Sequence, residues 1–376
     1  MAPPGLLEAL GYGPFFDAQV AAAERAGLRV GRAVADVGRR LLVRFEDGES
    51  LVTIPGRLRA RGEEAPVVGD FVLAPPGDEP PIARVLARRT RLSRGAAGRG
   101  EAEQVLAANV DTVFLVHAVD AGVKARRIER TLAAVHGRGA APVVLLTKLD
   151  LLDLAEDRDA VLEEAAAAAG AAPVVPVSVP SGEGLAEIRA VLAHGHTGVF
   201  VGASGAGKST LVNALVGAEV QATAAVRPWD ARGRHRTTGR RLFLLAGGGA
   251  VIDGPGIREL KLWDPHGLEG AFEDVAGVAE ACRFSDCRHE DEPGCAVRAA
   301  LEAGSLDPER LESLRKLQGE ARATGARRAG AEARAEQRRA RSAASSRAAR
   351  RSQDDDGDID GHGDGDDGDD DDGHPE

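Results

Sequence analysis

Residues 197–216 leave the backbone few choices. Thr197 to Val201 is mostly apolar and reads as a buried strand, and Leu211 to Val216 reads as the start of a helix. Between them lies Gly202-x-x-x-x-Gly207-Lys208-Ser209. Strand, glycine turn and helix in that order is the geometry of a phosphate cradle. Backbone N–H groups along Gly202, Ala203, Ser204, Gly205, Ala206 and Gly207 can close around phosphate oxygens, and the helix N-terminus adds partial positive charge. Lys208 is placed to reach the β- and γ-phosphates, and Ser209, followed by Thr210, to hold Mg²⁺. The alternative is a glycine turn with no ligand. The chain holds few lysines, so chance seldom produces the whole pattern in this context.

A phosphate cradle needs a companion that reads the base. Pro142 to Thr147 is an apolar strand ending in Thr147-Lys148-Leu149-Asp150, a variant of the Asn-Lys-x-Asp guanine signature. The Asp150 carboxylate can accept from guanine N1–H and the 2-amino group, donors that adenine does not offer there. Lys148 is expected along the base plane. The strand Ala172 to Val177 ends in Ser178-Val-Pro-Ser-Gly-Glu-Gly184, similar to a loop that closes over the guanine oxygen. A further strand ends in Asp253-Gly-Pro-Gly256. Asp253 can reach Mg²⁺ through water, and the Gly256 N–H can sense the γ-phosphate. Between cradle and Asp253 lies Gly233-Arg-His-Arg-Thr-Thr-Gly239, where Thr237 or Thr238 supplies the contact that orders a switch around metal and γ-phosphate.

The order of these elements is unusual. The base loop precedes the cradle, and the Asp-x-x-Gly segment comes last. The doubly wound sheet is therefore expected to be circularly permuted, so that whatever follows Gly256 is covalently tied to the moving switch.

The three cysteines all fall in Cys282-x₄-Cys287-x-His289-x₅-Cys295. Three thiolates and an imidazole complete a tetrahedral zinc shell with no open position, which marks a structural site. The cysteine count is odd and no secretory signal is visible, so disulfides are disfavoured. The remaining alternative is three unrelated cysteines that happen to cluster.

Permuted motifs followed by Cys-x₄-Cys-x-His-x₅-Cys resemble the ribosome small-subunit-dependent GTPases of the RsgA type, over about residues 28–320. Residues Glu103 to Val116, Glu292 to Val297 and Arg315 to Gln318 are similar to that family as well. The resemblance implies a multi-domain α/β chain. It comprises an N-terminal OB-type β-barrel, a central circularly permuted P-loop GTPase and a C-terminal zinc-binding helical domain. It further implies GTP hydrolysis stimulated by the small ribosomal subunit during its late maturation, with rRNA as partner, one structural zinc, and magnesium with GTP. Three positions depart from the usual pattern: Thr147 replaces asparagine, Arg236 replaces threonine, and Ile257 stands where many GTPases keep a water-orienting glutamine. His235 is the candidate for orienting water instead. The competing expectation is an rRNA-binding module whose nucleotide is only structural.

From Arg29 to about Arg94, short apolar runs separated by Gly, Asp and Pro carry barrel spacing. Arginines with few aromatics there favour recognition of RNA backbone over stacked bases. The expected layout is an arm at 1–27, the barrel at 28–95 and a linker at 96–104. The GTPase follows at 105–265, the zinc domain at 266–320 and a basic-then-acidic disordered tail at 321–376. Helices are expected at 296–303 and 308–320. Residues 321–351 carry ten arginines and two glutamates, whereas 354–376 carry twelve aspartates and one glutamate. The formal net charge of −11 is thus largely a property of the tail, with −6 left for residues 1–320. The arginine run reads as an exposed helix or an rRNA-binding arm. The aspartate run reads as a solubilising tail or a competitor for that arm. No membrane-length apolar run or signal appears, so a cytoplasmic protein is expected, with nothing demanding a dimer.

Overall fold

A computed structural model describes residues 5–59, 65–95, 103–136, 139–152, 154–217, 239–254 and 267–355. The chain divides into two compact units, Met1–Ala326 and Arg327–Glu376.

The strands of the first unit are β1 (Arg29–Val37), β2 (Arg40–Phe45), β3 (Gly48–Thr53), β4 (Phe71–Ala74), β5 (Arg84–Val85), β6 (Arg91–Gly95), β7 (Glu103–Ala108), β8 (Thr112–Ala118), β9 (Ala141–Thr147), β10 (Val174–Val177), β11 (Thr197–Gly202), β12 (Arg241–Leu244) and β13 (Ala250–Asp253). One sheet runs in the order β10-β9-β8-β11-β13-β12-β1-β2-β3, with β4 on β1 and β5 on β4. The first five strands of that order are parallel, and β12 is antiparallel to β13. Strands covered on both faces must be apolar throughout. In β8, Val113 and Leu115 enter a core on one face while Phe114 and Val116 enter a second core on the other. Helices Ala125–Val135 and Ala155–Ala169 contribute to the first core. Helices Leu185–Val191 and Lys208–Val216 contribute to the second. This is a doubly wound α/β sheet, with strands drawn from chain segments in permuted order.

The N-terminal strands β1 to β5 are antiparallel and short. In β2, Leu41, Val43 and Phe45 alternate inward with half-buried residues, the period of a sheet with one core face. Strands β2 and β4 pair with β1, β3 with β2 and β5 with β4, and Thr53 at the end of β3 makes an isolated parallel bridge to Pro81 ahead of β5. Strand β4 is buried on both sides: Val72 and Ala74 face this inner core, while Phe71 and Leu73 pack against Phe16 and Val20. Residues 5–27, nearly silent in the sequence, thus cover the outside of the strands with three short helices, Leu6–Ala9, Pro14–Asp17 and Ala22–Gly27. The expected linker is shorter on its C-terminal side, because Glu103 and Gln104 already pair with Gly95 and Arg94 in a β6–β7 ribbon.

After β13 come helices Gly267–Ala271, Glu273–Ala279 and Ala296–Glu302, then Pro308–Asp355. The last helix does not stop near Glu320; alanine and arginine are strong helix formers and carry it on.

Candidate nucleotide site and metal centre

Strand β11 lies between β8 and β13 at the centre of the parallel sheet and ends at Gly202. A Cβ there would stand 2.3 Å from the Val116 carbonyl oxygen, so only glycine lets the chain turn this close to β8. Gly207, with φ +87°, is the N-cap of helix Lys208–Val216. The Lys208 side chain is buried at 6 % exposure and donates from Nζ to Gly202 O at 2.8 Å and to Ala203 O. Its ammonium therefore lies inside the loop, among residues 202–207. Ser204 and Gly205 are exposed, and Ser209 is half-buried in the first helical turn.

The Thr147-Lys148-Leu149-Asp150 segment sits beside this loop. Thr147 Oγ1 donates to Ala206 O at 2.8 Å and lies 3.3 Å from His117 O. A hydroxyl has one proton, and the shorter contact ties the end of β9 to the glycine loop. Lys148 adopts a left-handed conformation (φ +65°) and pairs with Asp120 beyond β8. Leu149 is fully buried and anchors the turn. Ser178 Oγ donates to Asp150 Oδ1 at 2.8 Å, and its N–H donates to Glu183 O at 3.1 Å, so the 178–184 turn flanks the carboxylate. Asp253, also buried, ends β13 opposite Arg241. Four segments scattered through the chain thus gather at the C-terminal ends of parallel strands, where open α/β sheets bind ligands. His235, Thr237, Thr238 and Gly256 lie outside the described residues. Sequence reasoning missed Asp120 and His117. Burial takes His117 down to about 4, with the Arg127 charge adding to it, so its ring is neutral at physiological pH.

The metal-ligand atoms of Cys282, Cys287, His289 and Cys295 all lie within 4.8 Å of one another. Cys282 and Cys295 Sγ are 4.0 Å apart, and His289 Nδ1 is 3.6 and 3.5 Å from them. A tetrahedral zinc with bonds of about 2.3 Å to sulfur and 2.0 Å to nitrogen sets such edges at about 3.5–3.8 Å, so the four residues fit a zinc shell. Desolvation pushes the Cys287 thiol up to about 11, and its thiol neighbours add to the rise. A divalent cation held by the four residues would supply the charge that lets all three thiols ionise. His289 holds φ +62°, and Cys295 also caps helix Ala296–Glu302, accepting from Arg298 N–H.

Sheet order, glycine loop and permuted segments define a circularly permuted P-loop GTPase. The family model described as RsgA GTPase matches residues 85–263. A Methanosarcina acetivorans protein named small ribosomal subunit biogenesis GTPase RsgA is 47% identical over 271 residues, covering 71% of this chain and 72% of that one. A Xanthomonas euvesicatoria protein of the same name is 50% identical over 263 residues, covering 70% and 71%. The crystal structure of YjeQ from Thermotoga maritima aligns with TM-score 0.60 and 28% identity, covering 78% of this chain and 98% of that one. YloQ, described as a circularly permuted GTPase, shares the fold with TM-score 0.58 at 23% identity, covering 81% and 98%. The chain belongs to the RsgA GTPase family.

Proposed function

We propose that this GTPase binds the small ribosomal subunit and hydrolyses GTP as a late checkpoint in its maturation. The observation that carries the reading is the gathering of residues 147–150, 178–184, 202–209 and 253 at one sheet edge, in a chain about half identical to proteins named for small-subunit biogenesis. Asp150, oriented by Ser178, accepts from guanine N1–H and the 2-amino group, and Lys148, held by Asp120, lies along the base. Thr147 acts through the loop that it braces, and Leu149 anchors the turn. Backbone N–H groups of 202–207 and the Lys208 ammonium hold the phosphates, with Thr210 in the same helical turn. Ser209, with Asp253 through water, would hold magnesium, which neutralises charge on the phosphate oxygens. Since isoleucine at 257 cannot orient water, His235 takes that role, and Thr237 or Thr238 closes on the γ-phosphate beside the Gly256 N–H.

The pairing of β2 and β4 with β1, of β3 with β2 and of β5 with β4, together with the parallel Thr53–Pro81 bridge, supports an OB-type barrel over 28–95. A GTPase domain over 105–265 and a helical domain over 266–320 follow, the latter holding one structural zinc on Cys282, Cys287, His289 and Cys295. The barrel and zinc domain grip rRNA, and the protein works as a cytoplasmic monomer. Among the described residues no helix is long and apolar enough to cross a membrane. GTP turnover by the purified chain, measured with and without small subunits, tests the proposal. Stimulation of about tenfold or more is expected, because the free enzyme lacks the usual glutamine. Unchanged turnover, or a preference for ATP, refutes it.

A further inference from the structure

The second compact unit is Arg327–Glu376. Helix Pro308–Asp355 begins with an apolar packing stripe, Leu311, Leu317 and Ala321, all buried. From Arg327 to Asp355 the apolar residues are alanines alone, so this stretch has no face with which to build a core. Alanine and arginine sustain it by helix propensity. What it offers a partner is charge. Residues 327–351 carry nine arginines against two glutamates. At 100° per residue, helical register spaces positions 327, 334, 338 and 341 within an arc of about 60° over a length of about 21 Å. Arg334 and Arg341 are exposed. Guanidinium forks match phosphate oxygens two at a time. No Phe, Tyr or Trp follows residue 326, so base stacking has no platform and recognition is confined to the backbone.

Three positions beyond Arg351 the charge inverts. Residues 354–376 carry twelve aspartates and a glutamate, more charge than the arginine stretch and of opposite sign. A tethered polyanion of this kind meets the arginines at an effective concentration on the order of millimolar. We propose that residues 327–351 are an arm for the phosphate backbone of RNA, and that the aspartate run 354–376 is its intramolecular competitor. The arm then engages only a phosphate array dense enough to displace the tail. Weak, scattered contacts with other RNA are suppressed. The ribosomal role proposed above enters only in the choice of RNA as the polyanion.

The test uses the full chain, a chain ending at Gln353, and that shortened chain carrying R327Q/R334Q/R338Q/R341Q, whose arm is free of the tail and is compared with its unsubstituted parent, with an RNA duplex of about 20 base pairs as probe. Glutamine preserves helix propensity while removing charge. GTP turnover without RNA should be equal in all three, since the changes lie outside the GTPase unit. Removing the tail should tighten duplex binding about tenfold or more at about 50 mM salt, and the advantage should vanish near about 500 mM as screening shortens. The glutamine variant should lower the slope of log affinity against log salt by about three to four, one counterion per lost phosphate contact. An unchanged slope overturns the arm. Equal affinity of full and truncated chains at low salt, or a gain that survives high salt, overturns the competitor. Failure of the small-subunit role would appear separately, as unstimulated GTP turnover by the wild-type chain.

Discussion

Arg32 shows how much a single side chain can decide. It is 1 % exposed, yet its guanidinium donates to Gly69 O at 3.1 Å, Thr197 Oγ1 at 2.7 Å, Asn109 O at 2.9 Å and Leu10 O. It thereby joins the N-terminal arm, the antiparallel strands and the first residue of β11. Burial lowers its pKa to about 10, and Asp111 opposes the drop, so it stays charged. Arg32→Met should cost about 3 kcal/mol or more, because it strands buried carbonyls. An unchanged denaturant midpoint would contradict this. His117 gives a pH signature. Its folded pKa, about 4, lies below the unfolded value near 6.5. The unfolded chain therefore binds more protons between those values, and stability present above about pH 6.5 is lost as pH falls toward 4. His117→Gln should flatten the unfolding midpoint against pH in that window by up to about 3 kcal/mol, and an identical slope in the variant would rule the ring out as its source. Neither role was legible beforehand. Arg32 is one of many arginines in a basic segment, and His117 ends an ordinary apolar strand.

At the scale of elements, the final helix is docked by Arg310. It pairs with Glu129 at 2.8 Å and with both Asp274 oxygens at 2.9 and 3.0 Å, and lies 4.4 Å over the Phe272 ring. Ser313 also donates to Glu129. Helix Ala125–Val135 of the parallel sheet, helix Glu273–Ala279 and the last helix meet at this guanidinium. Arg310→Met should cost about 3–5 kcal/mol by leaving Glu129 buried and unpaired. Adding Glu129→Gln should recover part of that loss, and a double variant no more stable than the single one would refute the orphan-charge account. The proposed zinc site belongs to the same scale. Mass spectrometry of the native chain should find one zinc, absent in Cys295→Ser, and chelation should loosen residues 282–302 while leaving the parallel sheet folded. Retention of full thermal stability without metal would argue against a structural ion. The cysteine spacing made the gathering of Cys282, Cys287, His289 and Cys295 legible. The arginine joint left no such mark, because its partners are up to 181 residues apart.

Across the whole first unit, one sheet passes from the nucleotide loops into the N-terminal strands. Ala35 of β1 pairs with Arg241 of β12, Asp36 N–H donates to Arg240 O at 3.1 Å, and the Asp36 carboxylate meets the Arg240 guanidinium at 3.3 Å. A Cβ on Gly239 would stand 2.7 Å from Asp36 O, so the chain leaving the 233–239 segment is pressed against β1. Nucleotide state should therefore register in β1. Amide hydrogen exchange over residues 33–37 is expected to differ between GDP and a non-hydrolysable GTP analogue, and the difference should shrink in Asp36→Ala. Equal protection in both states would show that the junction is inert.

The glycine loop, the Thr147–Asp150 turn and the Cys282–Cys295 cluster could be read from the chain, because each depends on residues within 13 positions of one another and on hydrogen bonding or ligation that few residue types supply, and the permuted order followed from the order in which those segments occur. The covering of the antiparallel strands by residues 5–27 and the joints at Arg32, Arg310 and Asp36 could not. Their partners lie tens to just over two hundred positions away, and which arginine meets which carbonyl or carboxylate is settled by packing, for which no local spacing rule exists.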